Sequence, residues 1–155
     1  MEPLADNPGI VAFPGFLYAG AFVVAFALDL LWPVELIDHD IARVAGMIVC
    51  GLGAALILWG IATMRAARTN IYPELPAIAL VTNGPFRFTR NPLYLALAIL
   101  FAGLAIEMDN PWGLVVLAPL LCVMHYGVIL REERYLERKF GDGYLRYRAS
   151  VRRYL

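Results

Sequence analysis

Two short segments of this 155-residue chain carry residues of the kind that chemistry needs. The first, Thr82 to Tyr94, reads TNGPFRFTRNPLY; the second, Leu130 to Val151, reads LREERYLERKFGDGYLRYRASV. In the first, Asn83-Gly84-Pro85 is a turn signal and Asn91-Pro92 opens a helix. Asn91 can cap it, and proline suits the first helical position, where its missing N–H costs nothing. A helix N-terminus offers unpaired backbone N–H groups and a partial positive charge, so with Arg90 beside it this end is a seat for a carboxylate or phosphate. The plainer alternative is that the arginines mark a membrane interface and Asn-Pro merely starts a span. In the second segment, Glu132 and Glu133 sit where a helix leaves the membrane, flanked by Arg131 and Arg134. A carboxylate at such depth needs a partner, and if one of the pair faces solvent the other faces inward. Here the plainer alternative is a solvated amphipathic helix whose Tyr135, Tyr144 and Tyr147 lie in an interfacial aromatic belt. His125 precedes Glu132 by seven residues; seven steps of about 100° end about 20° short of two turns, nearly on one helix face. It either reaches a substrate there or bonds a neighbouring helix.

The elements that must position these residues follow from composition. The chain is 61% hydrophobic and 17% charged, with 13 basic residues against 13 acidic ones. That is more apolar surface than one soluble core of this length buries, which points to a membrane protein. Disorder is excluded by the same figures, nucleic-acid binding by the zero net charge, and a disulfide scaffold by having only two cysteines, both in hydrophobic segments. Cys50 and Cys122 are read as small apolar side chains.

Four hydrophobic stretches, at about 14–32, 41–64, 92–106 and 112–130, define an all-α, polytopic membrane bundle of four transmembrane helices in one domain, 1–155. The last two form a hairpin across Asp109-Asn110-Pro111, and a polar C-terminal helix breaks at Gly141-Asp142-Gly143. The third stretch is the short one, at about 15 residues or 22 Å. The first lacks the basic flank of a cleaved signal peptide and is read as a retained span. Gly51-Leu52-Gly53 belongs to helix packing, Asp29 to snorkelling or helix pairing, and His39 beside two aspartates to an outer loop; no metal site is expected. Arg65, Arg68, Arg87 and Arg90 separate the second and third spans, and eight more basic residues follow the fourth. The positive-inside rule therefore puts both termini and the central loop in the cytoplasm, with the tail drawn to an anionic lipid surface. Compact size suits a bacterial inner membrane.

GPFRFTRNPLYL (Gly84 to Leu95) followed by REERYLERKFGDGYLRYRASV (Arg131 to Val151) resembles the isoprenylcysteine carboxyl methyltransferase and phospholipid methyltransferase superfamily of integral membrane enzymes. The resemblance runs from about Leu80 to Val151 and rests on the order turn, Arg-X-Pro-X-Tyr, hairpin, Glu-Glu, Phe-Gly and Tyr-X-X-Tyr. It implies transfer of a methyl group from S-adenosylmethionine to a lipophilic acceptor that enters from the bilayer, with the cofactor held between the hairpin's cytoplasmic end and the C-terminal helix. The implied cofactor contacts are Leu80, Val81, Phe86, Arg90, Asn91, Pro92, Leu93, Tyr94 and Glu132, closed over by Tyr144, Tyr147 and Arg148. Two positions depart from the family. Its histidine is Asn91 here, which cannot titrate, and an arginine that meets the substrate in the eukaryotic prenylcysteine enzymes is Val128.

The implied chemistry is in-line displacement at the sulfonium methyl, in which proximity and water exclusion matter most. A prenylcysteine-like carboxylate acceptor needs no base. An ethanolamine phospholipid must first lose a proton, to Glu133, His125 or water. Two readings of other classes remain, a nicotinamide-dependent membrane reductase and a non-catalytic four-helix module that binds lipid.

Overall fold

The computed structural model describes residues 6–154, and these are helical with no strand among them. Helix α1 spans Pro14–Leu31, α2 His39–Ala66, α3 Pro92–Glu107, α4 Pro111–Met124, α5 Leu130–Phe140 and α6 Asp142–Ser150. A π turn at His125–Ile129 joins α4 to α5, so the chain stays helical from Pro111 to Phe140. Three helices are long and apolar enough to cross a membrane: α1, α2 and this last continuous run. Helix α3 is apolar throughout but has 16 residues, a rise of about 24 Å.

Local sequence explains the boundaries. Proline occupies the first turn of α1, α3 and α4, where no N–H is required. Asp38 caps α2 by accepting from the N–H groups of Asp40 and Ile41, and Arg68, at φ +54°, turns the chain out of that helix. At the hairpin, Asn110 accepts from Gly113 N–H through Oδ1 and donates through Nδ2 to the Ala25 carbonyl. The turn is thereby tied to α1 as well as closed on itself.

The bundle packs in two ways. On one side α2 and α3 approach until their backbones nearly touch. Gly46, Gly53 and Gly60 recur every seven residues on α2 and line one face. A Cβ at Gly46 would strike the backbone of Glu107, and one at Gly53 would lie 2.9 Å from Leu100 N. Gly103 answers from α3, where a Cβ would fall 2.7 Å from Cys50 Sγ. Small residues permit such closeness, and dispersion between backbones then replaces the missing hydrophobic drive of the bilayer. Of the two glycines in Gly51-Leu52-Gly53, only Gly53 takes part; Gly51 faces open space. On the other side, larger side chains fill the gap: Tyr18 of α1 packs with Phe101, Leu120, Met124 and Val128.

The π turn corrects one expectation. It holds more residues per turn than an α-helix, so the 100° count that set His125 above Glu132 fails across it. His125 is directed to Tyr154, their Nδ1 and hydroxyl 2.5 Å apart, while Glu132 accepts from Tyr94 at 2.6 Å. The two side chains line different cavities.

Candidate functional site

At the end of the bundle where α3 begins, four polar pieces close together. The first is a 3-10 turn, Gly84–Arg87, which Gly84 begins with φ +56°; a Cβ there would collide with Thr63 Oγ1 of α2. Second is the loop of residues 69–80, gathered by Thr69 Oγ1, which accepts from the N–H groups of Ile78 and Ala79. Third is α5 with α6 folded back on it at Gly141, φ +52°, a conformation that favours glycine. The last is a strap, residues 151–154, running along the start of α3. Arg90 N–H donates to Arg152 O, while Thr89 Oγ1 and Asn91 Nδ2 both donate to Arg153 O.

Tyrosines lock these pieces. Tyr147 OH donates to Phe86 O at 2.6 Å, and Tyr135 OH donates to Asp6 while accepting from Ala77 N–H. Tyr135, Tyr144 and Tyr147 are all buried, so the aromatic-belt reading is overturned: Tyr135 and Tyr147 are internal fastenings, and Tyr144 packs edge-on against Tyr147. Burial pushes the phenols of Tyr144 and Tyr147 far above their ordinary range, so neither ionises at physiological pH.

Asn91 occupies the N-cap position of α3, but its side chain makes no cap bond. The amide is spent on the strap, and Thr89 Oγ1 instead accepts from Asn91 N–H. The capping expectation is corrected accordingly.

The two neighbouring glutamates have different fates. Glu133 is buried and ion-paired: Arg153 Nε lies 3.0 and 3.1 Å from its two oxygens, Arg153 Nη2 2.9 Å from one, and Arg90 Nη2 3.2 Å from the other. A carboxylate held by two guanidinium groups is an anchor, and the idea that Glu133 serves as proton acceptor is corrected on that ground. Glu132 has no cation within bonding distance among the described residues and only Tyr94 as a hydrogen-bond partner. Burial raises its pKa above the usual carboxylate range; the Tyr94 hydrogen bond counters this, and the charge of Glu133 adds to it.

Two adjoining cavities meet at these residues. The more polar one is a cleft of about 80 Å³, lined by Leu80, Val81, Phe86, Arg90, Asn91, Glu132, Tyr144 and Tyr147 among others. Its neighbour, about 230 Å³ and mostly apolar, opens between α1, α2 and α3; it shares Phe86, Arg90, Asn91 and Glu132 and adds Pro92, Leu93 and Tyr94. Eleven of the twelve residues expected to contact a cofactor thus line one or both cavities. The twelfth, Arg148, stands outside in an exposed ion pair with Glu137 at 2.7 Å, and its placement over the cofactor is corrected. His125 lines a third groove with Tyr154, Tyr18 and Tyr94.

Among the described residues, three buried donors in this region lack a partner: Arg90 Nε, Arg90 Nη1 and Tyr144 OH. Unpaired buried polar groups are costly, and their concentration at one cleft marks a place where a ligand completes the hydrogen bonding. Sequence reasoning missed Arg153, Thr69, Thr89 and Tyr135. Arg153 looked like any other basic residue of the tail, and nothing local announced its carboxylate partner twenty residues earlier.

Comparison with known proteins supplies an independent line. Residues 41–143 match the phospholipid methyltransferase family. An uncharacterized protein of Haemophilus influenzae is 36% identical over 63 residues, covering 41% of this chain and the whole of that protein. No solved structure matches.

Proposed function

Because the chain belongs to the phospholipid methyltransferase family, we propose that it transfers a methyl group from S-adenosylmethionine to a lipid-borne acceptor at the membrane surface. The observation that carries the reading is the pairing, in one cleft, of a carboxylate without a cation and a guanidinium with spare donors: Glu132 and Arg90. The amino-acid end of the cofactor presents the matching pair, an ammonium and a carboxylate. Glu132 takes the ammonium, and one of the free Arg90 donors, Nε or Nη1, takes the carboxylate. When bound, the cofactor supplies an electrophilic methyl on a positively charged sulfur.

The chain's own task is placement. Tyr94 holds the Glu132 carboxylate by one hydrogen bond, and Phe86, Leu93 and Pro92 wall the junction between cleft and apolar cavity, keeping water from it. An acceptor chain lies in the apolar cavity with its nucleophile at that junction. Since Asn91 cannot titrate and Glu133 is locked between two arginines, the arrangement favours a nucleophile that needs no base, such as a lipophilic carboxylate. The ethanolamine phospholipid is the second reading, favoured by the family's description. The arginines at this end support a reading in which it and both termini face the cytoplasm and α3 is a fourth, thin span; reporter fusions to the C-terminus test that orientation.

Calorimetric titration of S-adenosylhomocysteine into nanodisc-held protein tests the reading. Binding that Glu132→Gln weakens by about 10- to 150-fold is expected, the range of a charged hydrogen bond. No binding by the folded protein rejects the methyltransferase and leaves the nicotinamide-dependent reductase and the non-catalytic lipid-binding module. With binding in hand, labelled-methyl transfer to prenylcysteine analogues against phosphatidylethanolamine separates the two acceptors.

A further inference from the structure

We infer that Arg153, in the strap after α6, is a positioning residue that keeps the guanidinium of Arg90 available to an anionic ligand group. The inference rests on the cofactor reading above, which gives Arg90 that ligand. Arg153 lies beyond the residues that match the family, and its side chain lines neither cavity at the junction.

Arg90 and Glu133 are both buried, each with 8% of its side chain exposed, yet a single contact of 3.2 Å joins them. Arg153 makes three contacts with the same carboxylate, between 2.9 and 3.1 Å, and so is the principal partner of Glu133. A buried carboxylate left with one arginine settles into a two-bond fork, since that geometry suits both planar groups. Were Arg153 absent, Glu133 would draw Arg90 into such a fork, occupying its donors and cancelling its charge. With Arg153 present, two cations share one anion. One positive charge is left over inside the cluster, and Arg90 Nε and Nη1 stay without a partner among the described residues. The strap does not depend on this side chain to stay in place, because its carbonyls accept from Arg90 N–H, Thr89 Oγ1 and Asn91 Nδ2.

The test is a suppressor experiment in nanodisc-held full chain, read by S-adenosylhomocysteine titration and by thermal unfolding without ligand. Arg153→Ala is expected to weaken binding about tenfold, the scale of one charged hydrogen bond. Adding Glu133→Gln to it removes the group that captures Arg90, and affinity is expected to return to within about threefold of wild type, a coupling that independent sites do not show. Arg152→Ala, an exposed neighbour, serves as the control and is expected to bind like wild type. Unchanged affinity in Arg153→Ala overturns the inference. So does a loss that Glu133→Gln leaves uncorrected, which marks Arg153 as a fastening of the strap alone. Should Arg153→Ala not fold, Arg153→Lys with and without Glu133→Gln carries the same comparison, because lysine lacks the fork. Absence of binding in wild type rejects the cofactor reading and this inference together, whereas normal wild-type binding with insensitive variants rejects only this inference.

Discussion

The α2–α3 interface and the polar cap are built on opposite principles. Between the two helices, closeness is everything: Gly46, Gly53 and Gly103 leave no room for a methyl group, and no polar side chain links the glycine faces except the long contact of Cys50 Sγ with Leu100 O, 3.8 Å. In the cap, spacing is loose enough to leave two cavities, and position is set by directed bonds from tyrosine, threonine and arginine. The first region resists added volume and ignores charge. The second tolerates volume and depends on charge. A framework without polar fastenings can be rigid in a bilayer, while a site that must admit a charged ligand keeps polar groups waiting.

The largest expected effect comes from breaking the first region. Gly46→Leu drives a side chain into the Glu107 backbone, and overpacking against backbone that cannot yield is expected to cost about 3 kcal/mol or to prevent folding. Gly51→Ala, on the open face of the same helix, is expected to be neutral or slightly stabilising, since alanine is the better helix former. Thermal unfolding of the two variants in the same detergent gives the contrast; equal destabilisation would mean that glycine flexibility, not proximity, matters at these positions.

Glu132→Gln is the next effect in size and belongs to the cap, with an expected loss in cofactor affinity of about 1.5–3 kcal/mol and little change in unfolding temperature. Its pH dependence sharpens the point. The folded state raises the pKa of Glu132, so it binds more protons than the unfolded chain above the ordinary glutamate range. The stability that this group contributes is therefore present at low pH and lost as pH rises through the raised value. A ligand ammonium favours the ionised form, so affinity is expected to climb as pH rises through that raised value, with proton release on binding. Calorimetry in buffers of differing ionisation enthalpy reads the proton directly, and Glu132→Gln is expected to abolish both the slope and the release.

Tyr94→Phe is the subtler form of that experiment. Its hydroxyl donates to Glu132 at 2.6 Å and holds the carboxyl pKa down against burial. Without it, affinity at neutral pH is expected to fall by about 1 kcal/mol, and the pH at which binding reaches half its plateau to move upward. A downward shift would show that the hydroxyl stabilises the protonated acid instead.

Legibility follows the same division. Helix existence and ends were written locally: Asn91-Pro92, Asn110-Pro111 and Asp38 mark starts, and α3 was expected at 92–106 and observed at Pro92–Glu107. The cleft-lining residues were visible through a motif, because Tyr94 and Glu132 sit on helices whose spacing fixes what they face and Arg90 stands two residues before α3 begins. Three things were hidden. The π turn changes the helical count without any residue that forbids an α turn, which is why His125 was placed on the wrong face. The glycine stripe gave no sign of its partner helix. The strap was unreadable because its bonds join residues more than sixty positions apart, and an arginine in a basic tail resembles its neighbours.

Arg148 offers the smallest effect and a direct check on how local the cap's charge dependence is. The sequence pattern sets it among residues that close over a cofactor, whereas the structure gives it an exposed partnership with Glu137, its own side chain 46% exposed. Exposed pairs of this kind are screened by water and salt and contribute little. Arg148→Ala is therefore expected to leave S-adenosylhomocysteine affinity within about twofold of wild type at ordinary salt, since a rim charge outside the bonded set acts only through a screened field. Raising the ionic strength should erase even that residue of effect. A loss approaching that of Glu132→Gln, persisting in high salt, would instead mean that α6 swings its arginine into the cleft when ligand arrives, and the boundary between the cap's bonded interior and its solvated rim would have to be redrawn around Tyr144 and Tyr147.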